Sequence, residues 1–354
     1  MGLVINGKWL SATPTGVQRY ATEIGRRIVE REPDVKVIVP ADATLPAWLP
    51  AERAIRSRLR GAAFEQVALP WIARRDVLLN LAASAPLIGR GQLVMMPDAL
   101  VARFPHTYSR RFVAWYALMY RVLSRRSRHL VTISEFSRRE LADVLGMPAE
   151  KFTIAYCGHE HAAEALASAP ALGLELEQRA SRPFVICVGS LTPSKNLAPV
   201  TTALAAAGVD VIVVGAAGVR RVYAEEVGLD APGIWLAGRL TDAELGQLMQ
   251  RATALVFPSL YEGFGLPVVE AQALGCPVVA SDRASIPEVG GAGALYFDPL
   301  QPQQAVDLVL GLDSAERARL VAAGLDNVER FSWDDAARVI LETVGRPARE
   351  LSVL

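Results

Sequence analysis

Cysteine is scarce in this chain of 354 residues: Cys157, Cys187 and Cys276 are far apart and odd in number. Neither a C-x-x-C pair nor a Cys/His spacing suited to zinc occurs, which excludes a disulfide framework and a structural zinc site. The three thiols are expected to be small buried residues in a reducing compartment. Long apolar runs are lacking as well. The longest stretch without a charge, Asn196 to Val209, is fourteen residues and is dotted with Thr, short of the roughly 18 to 20 apolar residues of a bilayer-spanning helix. The opening MGLVINGKWL has no apolar signal core, and Asn6 stands where a myristoylation signal wants Ser or Thr. A cytoplasmic protein is therefore expected. No D-x-D pair or His/carboxylate cluster is present, so no metal site is expected. Excess charge of either sign is missing too: 37 Lys and Arg balance 37 Asp and Glu, which argues against a bulk nucleic-acid binder. That zero is a sum of opposites. Residues 1–160 hold 23 basic and 14 acidic side chains, and residues 161–354 hold 14 and 23.

What is present is alternation. Short β-branched runs (Leu3–Ile5, Val35–Val39, Val77–Leu79, Leu93–Met96, Leu130–Ile133, Phe152–Ala155) are followed by a second series. That series comprises Phe184–Val188, Val209–Val214, Ile234–Leu236, Ala254–Phe257, Pro277–Ala280 and Leu295–Phe297. Helical patterns lie between them, among them Thr15–Arg31, Ser109–Arg128, Glu135–Leu145, Asp242–Arg251 and Gln303–Leu310. Near-continuous apolar strands alternating with helices predict parallel sheets covered on both faces. Two series predict two doubly wound, Rossmann-like α/β domains, residues 1–165 and 180–335, facing a cleft. The break is placed in the Ala- and Glu-rich segment His161 to Pro183. The stretch Trp333–Val344 reads as an amphipathic helix with Gly345 and Pro347 as its stop, and residues 336–354 either cap the second domain or cross back to the first. Open α/β sheets bind ligands beyond the carboxyl ends of their strands, so functional residues are expected just after strands.

The sharpest motif fits that expectation. In Pro258-Ser259-Leu260-Tyr261-Glu262-Gly263-Phe264-Gly265-Leu266-Pro267-Val268-Val269-Glu270-Ala271, a buried strand runs into a loop with two glycines and then a helix. Gly263 and Gly265 let backbone approach a ligand closely, and Pro267 suits a first helical turn. The helix start offers N–H groups and the positive end of a dipole to phosphate oxygens. Glu262 and Glu270 lie eight apart, and a carboxylate accepts hydrogen bonds from two vicinal hydroxyls at once, so a sugar or ribose is the natural partner.

These residues resemble the E-x7-E element of retaining glycosyltransferase family 4, the group 1 glycosyltransferases of the GT-B fold. Val188-Gly189-Ser190-Leu191-Thr192-Pro193-Ser194-Lys195-Asn196-Leu197 resembles the family's phosphate loop, and Thr15-Gly16-Val17-Gln18-Arg19-Tyr20 its N-terminal glycine loop. Val131–Arg138 and Ala280–Val289 also fit, so the likeness runs from about residue 6 to 335. It implies that Glu270 holds ribose hydroxyls. Glu262 with the backbone of Gly263, Phe264, Gly265 and Leu266 would hold the transferred sugar and its phosphates. Lys195 would neutralise the departing diphosphate, Gly16 would approach the β-phosphate, and Arg239 and Leu240 lie where the family holds the base. The donor would be a nucleotide-diphosphate sugar, with no separate cofactor. Two positions depart from the pattern. Ser190 and Ser194 stand at the positions of the family's usual Arg, leaving Lys195 alone or with Arg239 or Arg283. Met96-Pro97-Asp98 keeps the Asp of a His-Asp pair without its His, and Asp98 is the one candidate base in a family-like position. His106 and His161 are read as structural.

A second feature belongs to the first domain. From Ala99 to Ser134 there is no acid but seven arginines: Arg103, Arg110, Arg111, Arg121, Arg125, Arg126 and Arg128, with Phe112, Trp115, Tyr116 and Tyr120 among them. A helix with arginines at both ends and aromatics between reads as a surface for an anionic membrane or acceptor, or as a buried helix with solvated ends. The expected activity is transfer of a hexose, with GDP-mannose favoured as donor, to a glycan or lipid-diphosphate-linked acceptor in polysaccharide or O-antigen assembly. The first domain would take the acceptor, peripherally at the inner face of the plasma membrane. Two readings stay open beside it, a sugar-nucleotide epimerase of the same fold and a non-catalytic family member that binds a partner.

Overall fold

The computed structural model describes residues 2–89, 91–215 and 231–345. The chain forms two units, one built from the chain up to Cys157 and from Trp333 on, the other from Gly158–Ser332.

The first unit carries a seven-stranded sheet. Its strands are β1 (Leu3–Asn6), β2 (Lys36–Val39), β3 (Ala54–Arg56), β4 (Val77–Asn80), β5 (Gln92–Met95), β6 (His129–Thr132) and β7 (Phe152–Ile154), in the order β3-β2-β1-β4-β5-β6-β7. Every pairing is parallel. Ile5, Ile38, Leu79, Val94 and Val131 are shut off from solvent, as a sheet covered on both faces requires. The order reverses between β1 and β4, where Asn6 Nδ2 donates to Asn80 Oδ1 at 3.0 Å. On one face the helix Gly16–Arg31 meets the helix Trp333–Thr343. The Tyr20 ring stands edge-on to the buried Trp333, 5.8 Å between centroids, and Arg31 pairs with Asp334 at 2.6 Å.

The second unit carries six parallel strands: β8 (Phe184–Val188), β9 (Asp210–Val214), β10 (Ile234–Gly238), β11 (Ala254–Phe257), β12 (Val278–Ser281) and β13 (Ala294–Phe297). Their order is β10-β9-β8-β11-β12-β13. Central Ile186 lies beside Ile212 of β9 and Leu255 of β11. The order reverses between β8 and β11, and both strands feed loops that carry the motifs described above. Helix starts are marked by side chains, as the sequence dictates. Thr241 and Glu244 form a reciprocal capping box on Asp242–Arg251, and Asp313 accepts from Glu316 N at 2.8 Å at the start of Ser314–Val328. All three cysteines are buried, and desolvation pushes the Cys187 and Cys276 thiols up to about 12.

The observed bounds differ in places from those expected. The division falls at Cys157 and Gly158 rather than within His161 to Pro183. Ala162 and Leu176, on the helices Glu160–Ala167 and Leu174–Arg179, are buried in the second unit's own core, which draws that segment into it. At the other end the second unit stops at Ser332, and the last helix starts at Trp333 and belongs with the first. The edge strand β3 and the helix Ser314–Val328 were not foreseen. Pro347 and the rest of the proposed 336–354 segment past Gly345 lie outside the described residues.

Candidate functional site

The loops after β8 and β11 are tied to each other. The Leu260 N–H donates to the Ser194 carbonyl at 2.8 Å, and Lys195 Nζ reaches Glu262 Oε1 at 2.5 Å. Both side chains are largely sheltered, Lys195 with 24% and Glu262 with 13% of its side chain exposed. An ion pair held in so little solvent is set by its surroundings rather than by chance encounter at a surface. Lys195 also lies 5.8 Å from the Phe257 ring centroid, and its aliphatic stem runs along Gly189, where an added Cβ would already stand 3.4 Å from Lys195 Cγ and Cδ. The hydroxyls of Ser190, Thr192 and Ser194 form a chain at 3.3 and 3.2 Å, with Ser190 exposed and Ser194 buried.

Gly265 turns the β11 loop into the helix Leu266–Ala273 through a φ of 107°, in the left-handed region, which costs glycine nothing. Ser285 donates from Oγ to the carbonyls of Glu262 and Phe264, at 2.9 and 2.7 Å, and is fully buried. Phe264 is buried edge-on against Phe331, 5.4 Å between ring centroids. Together these contacts leave the Glu262–Leu266 backbone few alternatives. Glu270, on the next turn of the helix, has 14% of its side chain exposed, and its Oε1 lies 2.9 Å from Nε2 of the buried His161. Ser285 and His161 were not foreseen as partners of this site. The E-x7-E spacing marks the two glutamates, but a single Ser and a single His far away in sequence leave no periodic signal.

The remaining predicted donor residues follow other strands of the same sheet. Arg239 is exposed directly after Gly238, at the end of β10, and Leu240 packs onto the core. Arg283 is held by Asp298 at 2.9 Å and Asp282 at 3.0 Å. The pair with Asp298 raises the guanidinium pKa and lowers that of the carboxyl, so Arg283 is matched to carboxylates rather than presented as a bare cation.

In the first unit, Gly16 is exposed as the first residue of its helix, with Thr15 at the cap position. Asp98 Oδ1 accepts from Leu100 N at 2.8 Å and so starts the short helix Leu100–Arg103. The aromatic-arginine stretch is the helix Arg110–Arg126, capped by Ser109. Met119, Tyr120, Leu123 and Ser124 are buried, while Phe112, Trp115 and Leu118 stay 45%, 46% and 52% exposed. At 100° per residue, Arg111, Trp115, Leu118 and Arg125 share the outer face. Arg110, Arg111, Arg121, Arg125, Arg126 and Arg128 are all exposed, and none makes an ion pair among the described residues. Arg103 differs: Glu140 and Asp143, each at 2.6 Å, claim it and raise its pKa. Among the described residues no helix is long and apolar enough to cross a membrane.

Comparison with known proteins places this geometry. Residues 14–162 match the family model described as Glycosyltransferase Family 4, and residues 175–324 match the one described as Glycosyl transferases group 1. The O-antigen chain mannosyltransferase B of Escherichia coli is 29% identical over 223 residues, which cover 58% of this chain and 57% of that protein. The MMP alpha-(1->4)-mannosyltransferase of Mycolicibacterium hassiacum is 42% identical over 107 residues, 28% of this chain and 25% of its own. The chain thus spans little more than half the length of the first relative and a quarter of the second. Among solved structures, Anabaena Alr3699/HepE in complex with UDP and glucose superposes with a TM-score of 0.71 at 19% identity, covering 97% of this chain and 98% of that one. WaaG, a glycosyltransferase involved in lipopolysaccharide biosynthesis, gives 0.71 at 14% identity, covering 98% and 100%. At such identities the structures speak for the fold.

Proposed function

Because the chain belongs to the group 1, family 4-like glycosyltransferases and has their GT-B fold, we propose that it moves a hexose from a nucleotide-diphosphate sugar to a glycan or lipid-linked acceptor in polysaccharide or O-antigen assembly. Mannose from GDP-mannose is the favoured donor, a reading supported by the two mannosyltransferase relatives. The observation that carries the proposal is the Lys195–Glu262 pair at the β8–β11 reversal, with Glu270 one helical turn farther on.

In this reading Glu270 accepts hydrogen bonds from the ribose diol. Glu262 and the backbone around Gly263 to Leu266 hold the sugar and its phosphates. Lys195, released in part from Glu262, and the start of the Leu266–Ala273 helix stabilise the negative charge that grows on the diphosphate as the anomeric C–O bond breaks. The acceptor oxygen forms its bond to the same face of the anomeric carbon and gives its proton to the departing phosphate oxygen. The configuration is retained, and no side-chain base is required. Lys195 and the helix start take the place a metal ion would otherwise hold, and no separate cofactor is needed. The first unit receives the acceptor, with the Arg110–Arg126 face at an anionic membrane surface.

The test uses purified protein with a panel of nucleotide sugars. GDP-mannose, or another single donor, is expected to raise the melting temperature and to release its nucleotide diphosphate in the presence of acceptor, with EDTA leaving the rate unchanged. Lys195→Ala is expected to lower kcat by about 100-fold, the usual weight of one preorganised charge-stabilising group, and Glu270→Ala to abolish stabilisation by nucleotide. Indifference to every nucleotide overturns the proposal.

A further inference from the structure

We propose that His161 is a positioning residue for nucleotide binding: it fixes Glu270 in the orientation that receives the ribose hydroxyls. The inference rests on the ribose role of Glu270 given above and adds the residue that makes the carboxylate ready.

Nε2 of His161 lies 2.9 Å from Glu270 Oε1 across 109 residues of sequence. A carboxylate only accepts, so the hydrogen sits on Nε2. The bond occupies one lone pair of Oε1 and leaves Oε2 and the second lone pair of Oε1 for a diol. A glutamate without such a partner explores several rotamers, and binding must then freeze them. Here the ordering is built into the fold. His161 is 5% exposed, and the chain that carries it is itself anchored. Glu160 accepts from Ser332 Oγ at 2.8 Å and from the His159 N–H at 2.9 Å, and Ala162 enters the core. Glu270 and His161 line one small cavity with Asp242, Leu245 and Met249. Charged or titratable groups near the pair include Asp242 from the helix Asp242–Arg251 and His159 and Glu160 from the segment that carries His161.

The experiment measures the affinity of whichever of GDP or UDP stabilises the protein, beside that of its 2′-deoxy counterpart. Wild-type protein is expected to favour the ribonucleotide. His161→Ala is expected to weaken the ribonucleotide about tenfold, the weight of one hydrogen bond to a charged group, while leaving the deoxynucleotide nearly unchanged, so that the preference collapses. His161→Gln, which keeps an N–H donor on a flexible stem, is expected to restore most of it. In turnover, KM for the donor rises while kcat holds. Combined with Glu270→Gln the effects should be less than additive. Equal weakening of both nucleotides in His161→Ala, without rescue by Gln, means that the histidine only supports the fold and overturns the proposal. So does an unchanged preference in His161→Ala when Glu270→Ala removes it. If Glu270→Ala itself leaves the preference intact, the ribose reading falls, and this proposal falls with it.

Discussion

Gly265 shows how much of the site is decided by one backbone angle. Its φ of 107° lies where a side chain is strained, although the space beside it is ordinary: an added Cβ would meet Phe257 and Val268 only at 3.8 Å. The cost of Gly265→Ala is therefore conformational rather than steric, roughly 1–2 kcal/mol. We expect urea unfolding of the second unit to shift by that amount and nucleotide affinity to fall with it, because the turn sets where the Leu266–Ala273 helix begins. A variant as stable as wild type contradicts this account. Ser285 contributes from the other side. Its hydroxyl serves two carbonyls of the same loop, so the glycine frees the chain to turn and the serine fixes where the turn stops.

The helix Arg110–Arg126 carries two kinds of surface, and burial separates them. Its inner face is closed by Tyr120 and Leu123; its outer face puts Trp115 and Leu118 among arginines that make no ion pair with the described residues. Near an anionic bilayer each such arginine contributes about 1 kcal/mol, and the effect fades beyond a Debye length. Wild-type protein is expected to float with vesicles containing phosphatidylglycerol and to ignore pure phosphatidylcholine. Replacing Arg121, Arg125 and Arg126 by Ala is expected to weaken binding by about 100-fold, since about 3 kcal/mol is lost. If wild type never floats, the membrane role is wrong. Elements of this kind were legible in sequence because apolar spacing and charge are local signals. Twelve of the strands, both sheets and the E-x7-E loop followed from them. Strand β3 did not, because it is three residues long, ends in the exposed Arg56 between Arg53 and Arg58, and keeps only Ala54 and Ile55 half-buried at the sheet edge. The partners of the site were equally hidden. Lys195 with Glu262 and His161 with Glu270 are contacts across 67 and 109 residues, and no local pattern announces them.

Across the molecule, burial also sets a response to acid. Desolvation, with Arg128 adding to it, lowers the pKa of His129 at the start of β6; desolvation also lowers that of His159, with Glu160 opposing and His161 reinforcing the shift. A base whose folded pKa lies below the ordinary imidazole value binds fewer protons folded than unfolded. Its stabilisation is full above about pH 6.5 and declines as the pH falls through that value toward the folded pKa. Melting temperature is expected to be flat from pH 8 to 7 and to drop below 6.5, with a shallower drop in a His129→Gln, His159→Gln double variant; identical profiles contradict the assignment. The path of the chain carries a different consequence. The second unit is continuous, whereas the first is closed by a helix that begins only at Trp333. During synthesis, domains generally fold as they emerge, so the second unit can be complete while the first still awaits Trp333 for its pocket beside Tyr20. A polypeptide cut short before that point would hold a complete second unit while the Tyr20 side of the helix Gly16–Arg31 stays uncovered.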